Sequence, residues 1–312
     1  MPTPDSSKSC SQTFTDHHIH GIAGVDFATS SVSQIREALS VLATRRTTTV
    51  TASLPTLELP ALKDAFERLH GLYSAGLLAG VHLEGPFLAP DFAGAHPHHA
   101  LISPDSATGR RYVDQVLAQQ RDTGMLAMMT LAPELPGAQK LIEQLVHHDI
   151  EPALGHTGAN YEQMREAIEQ IYALTNRPVV ITHLYNAMRG FHHRDPGPLL
   201  AVLEAAQAQR VTVELLADGL HLDMGIVRWW FQQHPEAVRL VSDAAAATRV
   251  PGQGSISDGA LRLGHCELSD DTNSPRLVDG RTLASGGKDL LAIHDDLVAA
   301  GLDHGLVCAA MR

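Results

Sequence analysis

Eight short apolar or β-branched runs, separated by stretches of helical periodicity, constrain the fold of this chain more than any other feature. The runs fall at 13–20, 47–53, 77–84, 125–131, 150–155, 178–183, 211–217 and 237–242. Between them apolar residues recur at helical spacing: Val32, Ile35, Leu39 and Leu42; Leu141, Ile142, Leu145 and Val146; Met164, Ile168, Ile171 and Tyr172; Leu199, Leu200, Leu203 and Ala206. Strands joined through helices lie parallel, and eight such units close a sheet on itself. The pattern therefore predicts an α/β fold, a (β/α)8 TIM-type barrel, over residues 13–312. A chain of 312 residues with 44% apolar composition can supply one large core or two modest ones. Residues 1–12 read as a disordered polar leader. Beyond Asp243 the pattern loosens: 250–254 reads as a loop, and 289–300 as a closing helix. The runs 261–268 and 276–283 read as arms of a hairpin around Asp270-Asp271-Thr272-Asn273.

Charge and cysteine usage exclude several functions. The formal net charge is −12 and aromatics make up 4%, which argues against nucleic acid as a partner. An anionic substrate would have to meet a local positive cluster. No stretch approaches the roughly 20 apolar residues of a membrane helix, and residues 1–15 hold no apolar signal core. Cys10, Cys266 and Cys308 are odd in number and scattered. They read as reduced thiols of a cytoplasmic protein. None belongs to a CxxC pair, which argues against cysteine-based zinc.

The ionisable residues at the ends of the runs carry the chemistry. The third run climbs to Val81-His82-Leu83-Glu84 and is broken by Gly85-Pro86. A carboxylate is thus left at a strand's carboxyl end, where ligands of parallel α/β folds collect. The first run ends Asp16-His17-His18-Ile19-His20. His18 and His20, two apart on a strand, share a face and form a clamp suited to a divalent metal. The fifth run delivers His156, the sixth His183 and the eighth Asp243. Four imidazoles and two carboxylates would meet at one barrel mouth. That donor set suits zinc or iron, and a carboxylate can bridge two ions. The chain has 19 histidines, so position decides which of them matter. His82 faces inward one layer below Glu84 and reads as a support. His98-His99 and His147-His148 read as solvent-exposed, Met128-Met129 as strand core, and Trp229-Trp230 as a barrel cap or interface.

Several motifs, in this order, resemble the N-acetylglucosamine-6-phosphate deacetylases of the amidohydrolase superfamily. They are Asp16-His17-His18-Ile19-His20-Gly21, His82-Leu83-Glu84-Gly85-Pro86-Phe87, Gly155-His156-Thr157, Thr182-His183-Leu184-Tyr185-Asn186-Ala187-Met188 and Ala217-Asp218-Gly219-Leu220-His221. The resemblance implies that Glu84, His156 and His183 are the constant metal ligands. His18 and His20 match second-metal ligands that some members lack, so one or two ions are expected. Asp243 matches the catalytic aspartate. Ala95-His96, Asn186-Ala187, Arg194, Asp218, Gly219, Leu220, His221, Leu283, Ala284 and Ser285 match segments that hold the sugar phosphate. The arginine matching Arg194 can reach the neighbouring subunit's site, which implies a homodimer. Members of the family also carry a small β-sandwich flanking the barrel. Few residues flank the barrel here, so most or all of that sandwich is expected to be missing.

The implied reaction removes acetate from N-acetylglucosamine 6-phosphate through a metal-activated water, with Asp243 as general base and then acid. Just after the seventh run, His221 would polarise a carbonyl or bind a sugar hydroxyl. The N–H groups of Asn186-Ala187 and the charge of Arg194, ahead of a helix start at Asp195-Pro196-Gly197, would meet the phosphate. Two alternatives stand beside this reading. One is a superfamily hydrolase of a different amide or cyclic imide. The other is a barrel that binds the sugar phosphate without turnover.

Overall fold

A computed structural model describes residues 13–257, 259–269 and 274–312. The leader 1–12 and the turn 270–273 expected from the sequence lie outside the described residues. Eight strands form one parallel sheet in chain order. They are β1 (Phe14–Ile19), β2 (Thr47–Leu54), β3 (Gly80–Glu84), β4 (Leu126–Leu131), β5 (Glu151–Leu154), β6 (Val179–Ile181), β7 (Val211–Leu215) and β8 (Val238–Leu240). Every run read from the sequence becomes a strand of the barrel. The third starts later than its apolar run, at Gly80, because Leu77 and Leu78 still belong to the turn that leaves the preceding helix.

Helices α1 (Val32–Thr44), α2 (Leu59–Ser74), α3 (Ala107–Thr123), α4 (Ala138–His147), α5 (Tyr161–Thr175), α6 (Gly197–Gln207) and α7 (Met224–Gln233) fill the crossovers. Capping boxes at Ser31/Gln34 and Asn160/Gln163 fix where α1 and α5 begin, by satisfying N–H groups the first turn leaves open. Each helix turns its apolar stripe onto the sheet: Ile35, Leu39 and Leu42 from α1, and Leu141, Ile142 and Leu145 from α4, are buried. Each such side chain contributes ~1.5–3 kcal/mol by leaving water. Trp230 is fully buried and donates its indole N–H to Tyr185 Oη at 2.9 Å, while Trp229 is exposed.

The seam between β8 and β1 is closed at both ends by residues outside the two strands. At the carboxyl end, Asp243 N–H donates to His18 O (2.8 Å) and His20 N–H to Ala244 O (2.7 Å). At the opposite end, Leu240 N–H donates to Ala310 O (2.7 Å) and Thr15 N–H to Met311 O (2.8 Å). Residues 310–311 follow α8 (Leu290–Ala299) and α9 (His304–Ala309). The hairpin expected beyond Asp243 does not form as read: each arm folds back on itself, Arg262–Leu263 on Cys266–Glu267 and Arg276 on Leu283, and a single β-bridge, Leu268–Leu277, joins the two among the described residues.

Inside the barrel the side chains are layered. Met128, Ala153 and Val180 form an apolar floor. Above it runs a hydrogen-bonded tier: Ser53 Oγ to His82 Nδ1 (2.9 Å), His82 Nε2 to Thr130 Oγ1 (2.8 Å), and Thr130 Oγ1 to Thr182 Oγ1 (2.8 Å). Two hydroxyls occupy both nitrogens of His82, and burial keeps its ring neutral, well below the ordinary imidazole range. The next tier is the site.

Candidate active site

Glu84 ends β3 and points into the mouth. Its Oε1 lies 3.0 Å from His156 Nε2 and 2.9 Å from His183 Nε2. Those two nitrogens are 3.0 Å apart. Its Oε2 lies 3.1 Å from His20 Nε2 and 3.2 Å from His96 Nε2. On the far side, Asp243 Oδ1 is 3.4 Å from His18 Nε2 and 3.3 Å from His20 Nε2. The six residues expected at the mouth do converge, with Glu84 standing between the His156/His183 pair and the His18/His20/Asp243 group.

The outer nitrogens of three of these rings are held by acceptors. His156 Nδ1–H donates to Phe92 O (2.8 Å), His20 Nδ1–H to Ser53 O (3.2 Å), and His18 Nδ1–H to Glu214 Oε2 (3.3 Å). A neutral imidazole that donates from Nδ1 carries a lone pair on Nε2. Three lone pairs therefore face carboxylate oxygens at the centre, and the gaps between them call for positive charge. The separations near 3 Å match the spacing between donors that share a cation about 2 Å away. The donor set thus fits a divalent metal. His183 also presents Nε2, and its Nδ1 is buried without a partner among the described residues.

The electrostatics show the same demand for positive charge, met by protons where no cation is bound. Burial opposes charging His18 and His20, but Asp243 and Glu84 override it, holding His18 well above the usual range and His20 at about 9; a cation between the carboxylates would displace those protons and free the Nε2 lone pairs. Burial likewise opposes ionising Glu84, Asp243 and Glu214. The surrounding imidazoles win, with His18 foremost, and hold all three below the usual carboxylate range.

His96 has the opposite tautomer. Thr56 N–H donates to its Nδ1 (3.1 Å), so Nε2 bears the hydrogen. Burial also pushes the ring down to about 4, which keeps it neutral. His96 therefore presents a donor toward Glu84 and does not offer a lone pair to an ion.

A cavity of about 190 Å³ opens over the cluster. Of the residues expected to hold substrate, Ala95, His96, Asn186, Ala187, His221, Leu283 and Ala284 line it. Asp218 stands behind that wall. Its carboxylate accepts from the N–H groups of Leu220, His221 and Gly287 and holds His221 Nδ1 at 2.9 Å. Ser285 is buried, Leu220 and Gly219 are surface residues of the same loop, and Arg194 is exposed on the loop before α6 with Nη1 3.1 Å from His193 Nε2.

Three of the expected ligands, His156 (φ 48°), His183 (φ 25°) and Asp243 (φ 46°), stand in the left-handed backbone region. Non-glycine residues visit it rarely, and such strain gathers at functional sites. Gly85 (φ 89°) turns the chain away directly after Glu84, and a Cβ there would sit 2.3 Å from Thr56 Oγ1.

Four supports escaped sequence reasoning. Glu214 is a carboxylate inside an otherwise apolar or β-branched strand, and that oddity was a readable signal. Glu134 binds the Thr157 hydroxyl and Gly158 N–H, both at 2.6 Å, and so steadies the loop behind His156. The carbonyls of Ser53 and Phe92 carry no sequence signal at all.

No family model matches the chain. Among curated proteins it is 33% identical over 280 residues to N-acetylglucosamine-6-phosphate deacetylase of Rattus norvegicus, covering 87% of this chain and 64% of that protein. It is 32% identical over 244 residues to N-acetylgalactosamine-6-phosphate deacetylase of Escherichia coli O157:H7, covering 76% of this chain and 60% of that protein. The chain thus spans less than two thirds of the length of these curated relatives. Among solved structures it superposes with a TM-score of 0.82 on a variant of N-acetyl-D-glucosamine-6-phosphate deacetylase from Mycobacterium smegmatis in complex with N-acetyl-D-glucosamine-6-phosphate. The two are 32% identical, and the match covers 96% of this chain and 74% of that one. The barrel, its mouth and this likeness lead to one conclusion: the chain belongs to the N-acetylglucosamine-6-phosphate deacetylase family of the amidohydrolase superfamily.

Proposed function

We propose that the chain hydrolyses the N-acetyl amide of N-acetylglucosamine 6-phosphate, releasing acetate and glucosamine 6-phosphate. The observation that carries the reading is the set of inward Nε2 atoms of His18, His20 and His156, each ring fixed by an outer acceptor, around the carboxylates of Glu84 and Asp243. We assign His18, His20, Glu84, His156, His183 and Asp243 as ligands of one or two divalent ions, zinc before iron. When bound, such an ion lowers the pKa of a water and polarises the amide carbonyl.

The chain's own residues do the rest. Asp243, at the cavity wall, takes the proton of the attacking water and delivers it to the amide nitrogen as the C–N bond breaks. His221, its Nδ1 held by Asp218, presents its other ring nitrogen to the acetyl oxygen or a sugar hydroxyl. Asn186 and Ala187 border the cavity, and Arg194 on its exposed loop suits a phosphate, within its own chain or across a homodimer. Among the described residues no helix is long and apolar enough to cross a membrane. We place the enzyme in the cytoplasm, as a barrel over residues 13–312.

The test is acetate release from N-acetylglucosamine 6-phosphate, its unphosphorylated form and its galacto epimer, with metals counted per chain. Preferential turnover of the phosphorylated gluco sugar by metal-bearing protein is expected. The relative named for the galacto sugar makes that epimer the second reading. Equal turnover with and without phosphate would point to another amide, and binding without turnover to a sensor.

A further inference from the structure

At the end of the barrel away from Glu84, His294 on α8 and His304 and Cys308 on α9 bring one donor atom each within 4.8 Å of one another. Cys308 Sγ lies 3.7 Å from His294 Nε2 and 3.6 Å from His304 Nε2. A tetrahedral ion with sulfur about 2.3 Å away and nitrogen about 2.0 Å away sets these edges at about 3.5 Å. His304 and Cys308 are four apart on one helix, so a single face presents both. His294 is oriented from outside: its Nδ1–H donates to Asp295 Oδ1 at 2.8 Å, which turns the Nε2 lone pair toward the sulfur. Its ring also packs on Phe14, at the start of β1. His294 and Cys308 are buried and His304 is half-buried, so the cluster meets solvent on the His304 side, where a water would complete four-coordination.

We propose that His294, His304 and Cys308 form a second divalent-metal site of the zinc class, structural in role. Binding displaces the thiol proton to solvent, and the thiolate and two neutral imidazoles hold the ion. The site would clip α9 to α8 just before Ala310 and Met311, whose carbonyls close the lower seam of the barrel.

Cobalt(II) titration of the purified full chain tests this. A thiolate-to-cobalt charge-transfer absorption in the near ultraviolet is expected, because the ligand set at the mouth holds no sulfur. It should vanish in Cys308→Ser, persist in Cys266→Ser, and need at least tenfold more cobalt in His304→Ala. In parallel, zinc per chain should fall by one in Cys308→Ser. Native protein without the band, or a band that survives Cys308→Ser, overturns the proposal. Where Cys308→Ser fails to fold, the band's persistence in Cys266→Ser and its weakened cobalt affinity in His304→Ala decide.

Discussion

His156 Nε2 and Glu84 Oε1 lie 3.0 Å apart, yet the hydrogen that would join them is committed to the carbonyl of Phe92. An imidazole carrying that one hydrogen turns its lone pair on a carboxylate oxygen. Such a contact is repulsive unless a cation lies between the two. Glu84→Ala should therefore strip the ion shared with His156 and His183, and acetate release should drop to background. Elemental analysis of the purified variant checks this, and unchanged metal content would refute the assignment of Glu84.

Asp243 has a narrower task. Asp243→Asn keeps the backbone N–H that closes the seam onto His18, so the fold should persist. Loss of the proton carrier should lower kcat by ~10²–10⁴-fold. Steady-state kinetics, with circular dichroism as the folding control, separates the two effects. Near-native kcat in the variant would remove Asp243 from the proton path.

Among the described residues Glu214 is within hydrogen-bond distance of one proposed ligand, His18. Glu214→Gln withdraws the charge behind that imidazole, and affinity for the ion on the His18/His20 side should weaken by ~10–100-fold. The ion on the His156/His183 side should stay. Two-step metal titration distinguishes them, and equal weakening of both sites would contradict this division of labour.

The Asp218–His221 pair predicts a pH window. Burial opposes the Asp218 charge, but His221 and nearby N–H groups outweigh it and bring the carboxyl from 3.8 down to about 2. Burial also opposes charging His221, but Asp218 raises it above 6.5. The Asp218 contribution is thus complete above 3.8 and lost as pH falls through about 2. The His221 contribution is complete below 6.5 and lost as pH rises through its raised value. Linkage puts the Asp218 share on the order of 2 kcal/mol. Asp218→Asn should lower Tm most between these limits, and its His221 should titrate lower by NMR. An unmoved His221 titration would show that the pair is not coupled.

The barrel was legible because its strands are short, apolar and punctuated, and because parallel strands need crossovers. Glu84, His156, His183 and Asp243 were legible because each stands where such a strand stops. The tautomers were not legible, since Phe92 and Ser53 act through backbone oxygens that any residue possesses. Glu214 hid inside a strand whose neighbours all fit a core. Searching cysteines for CxxC pairs also passed over Cys308, whose neighbours are a histidine one helical turn earlier and another on a different helix.

The two-ended seam has a consequence for the order in which this molecule can assemble. A fragment stopping at Ala244 would own every proposed ligand of the mouth. It would still leave the amides of Thr15 and Leu240 unanswered, because their acceptors arrive some seventy residues later in the chain, at Ala310 and Met311. Every proposed ligand of the mouth therefore precedes, along the chain, the residues that finish the vessel, and closing it joins the chain's two most distant described segments.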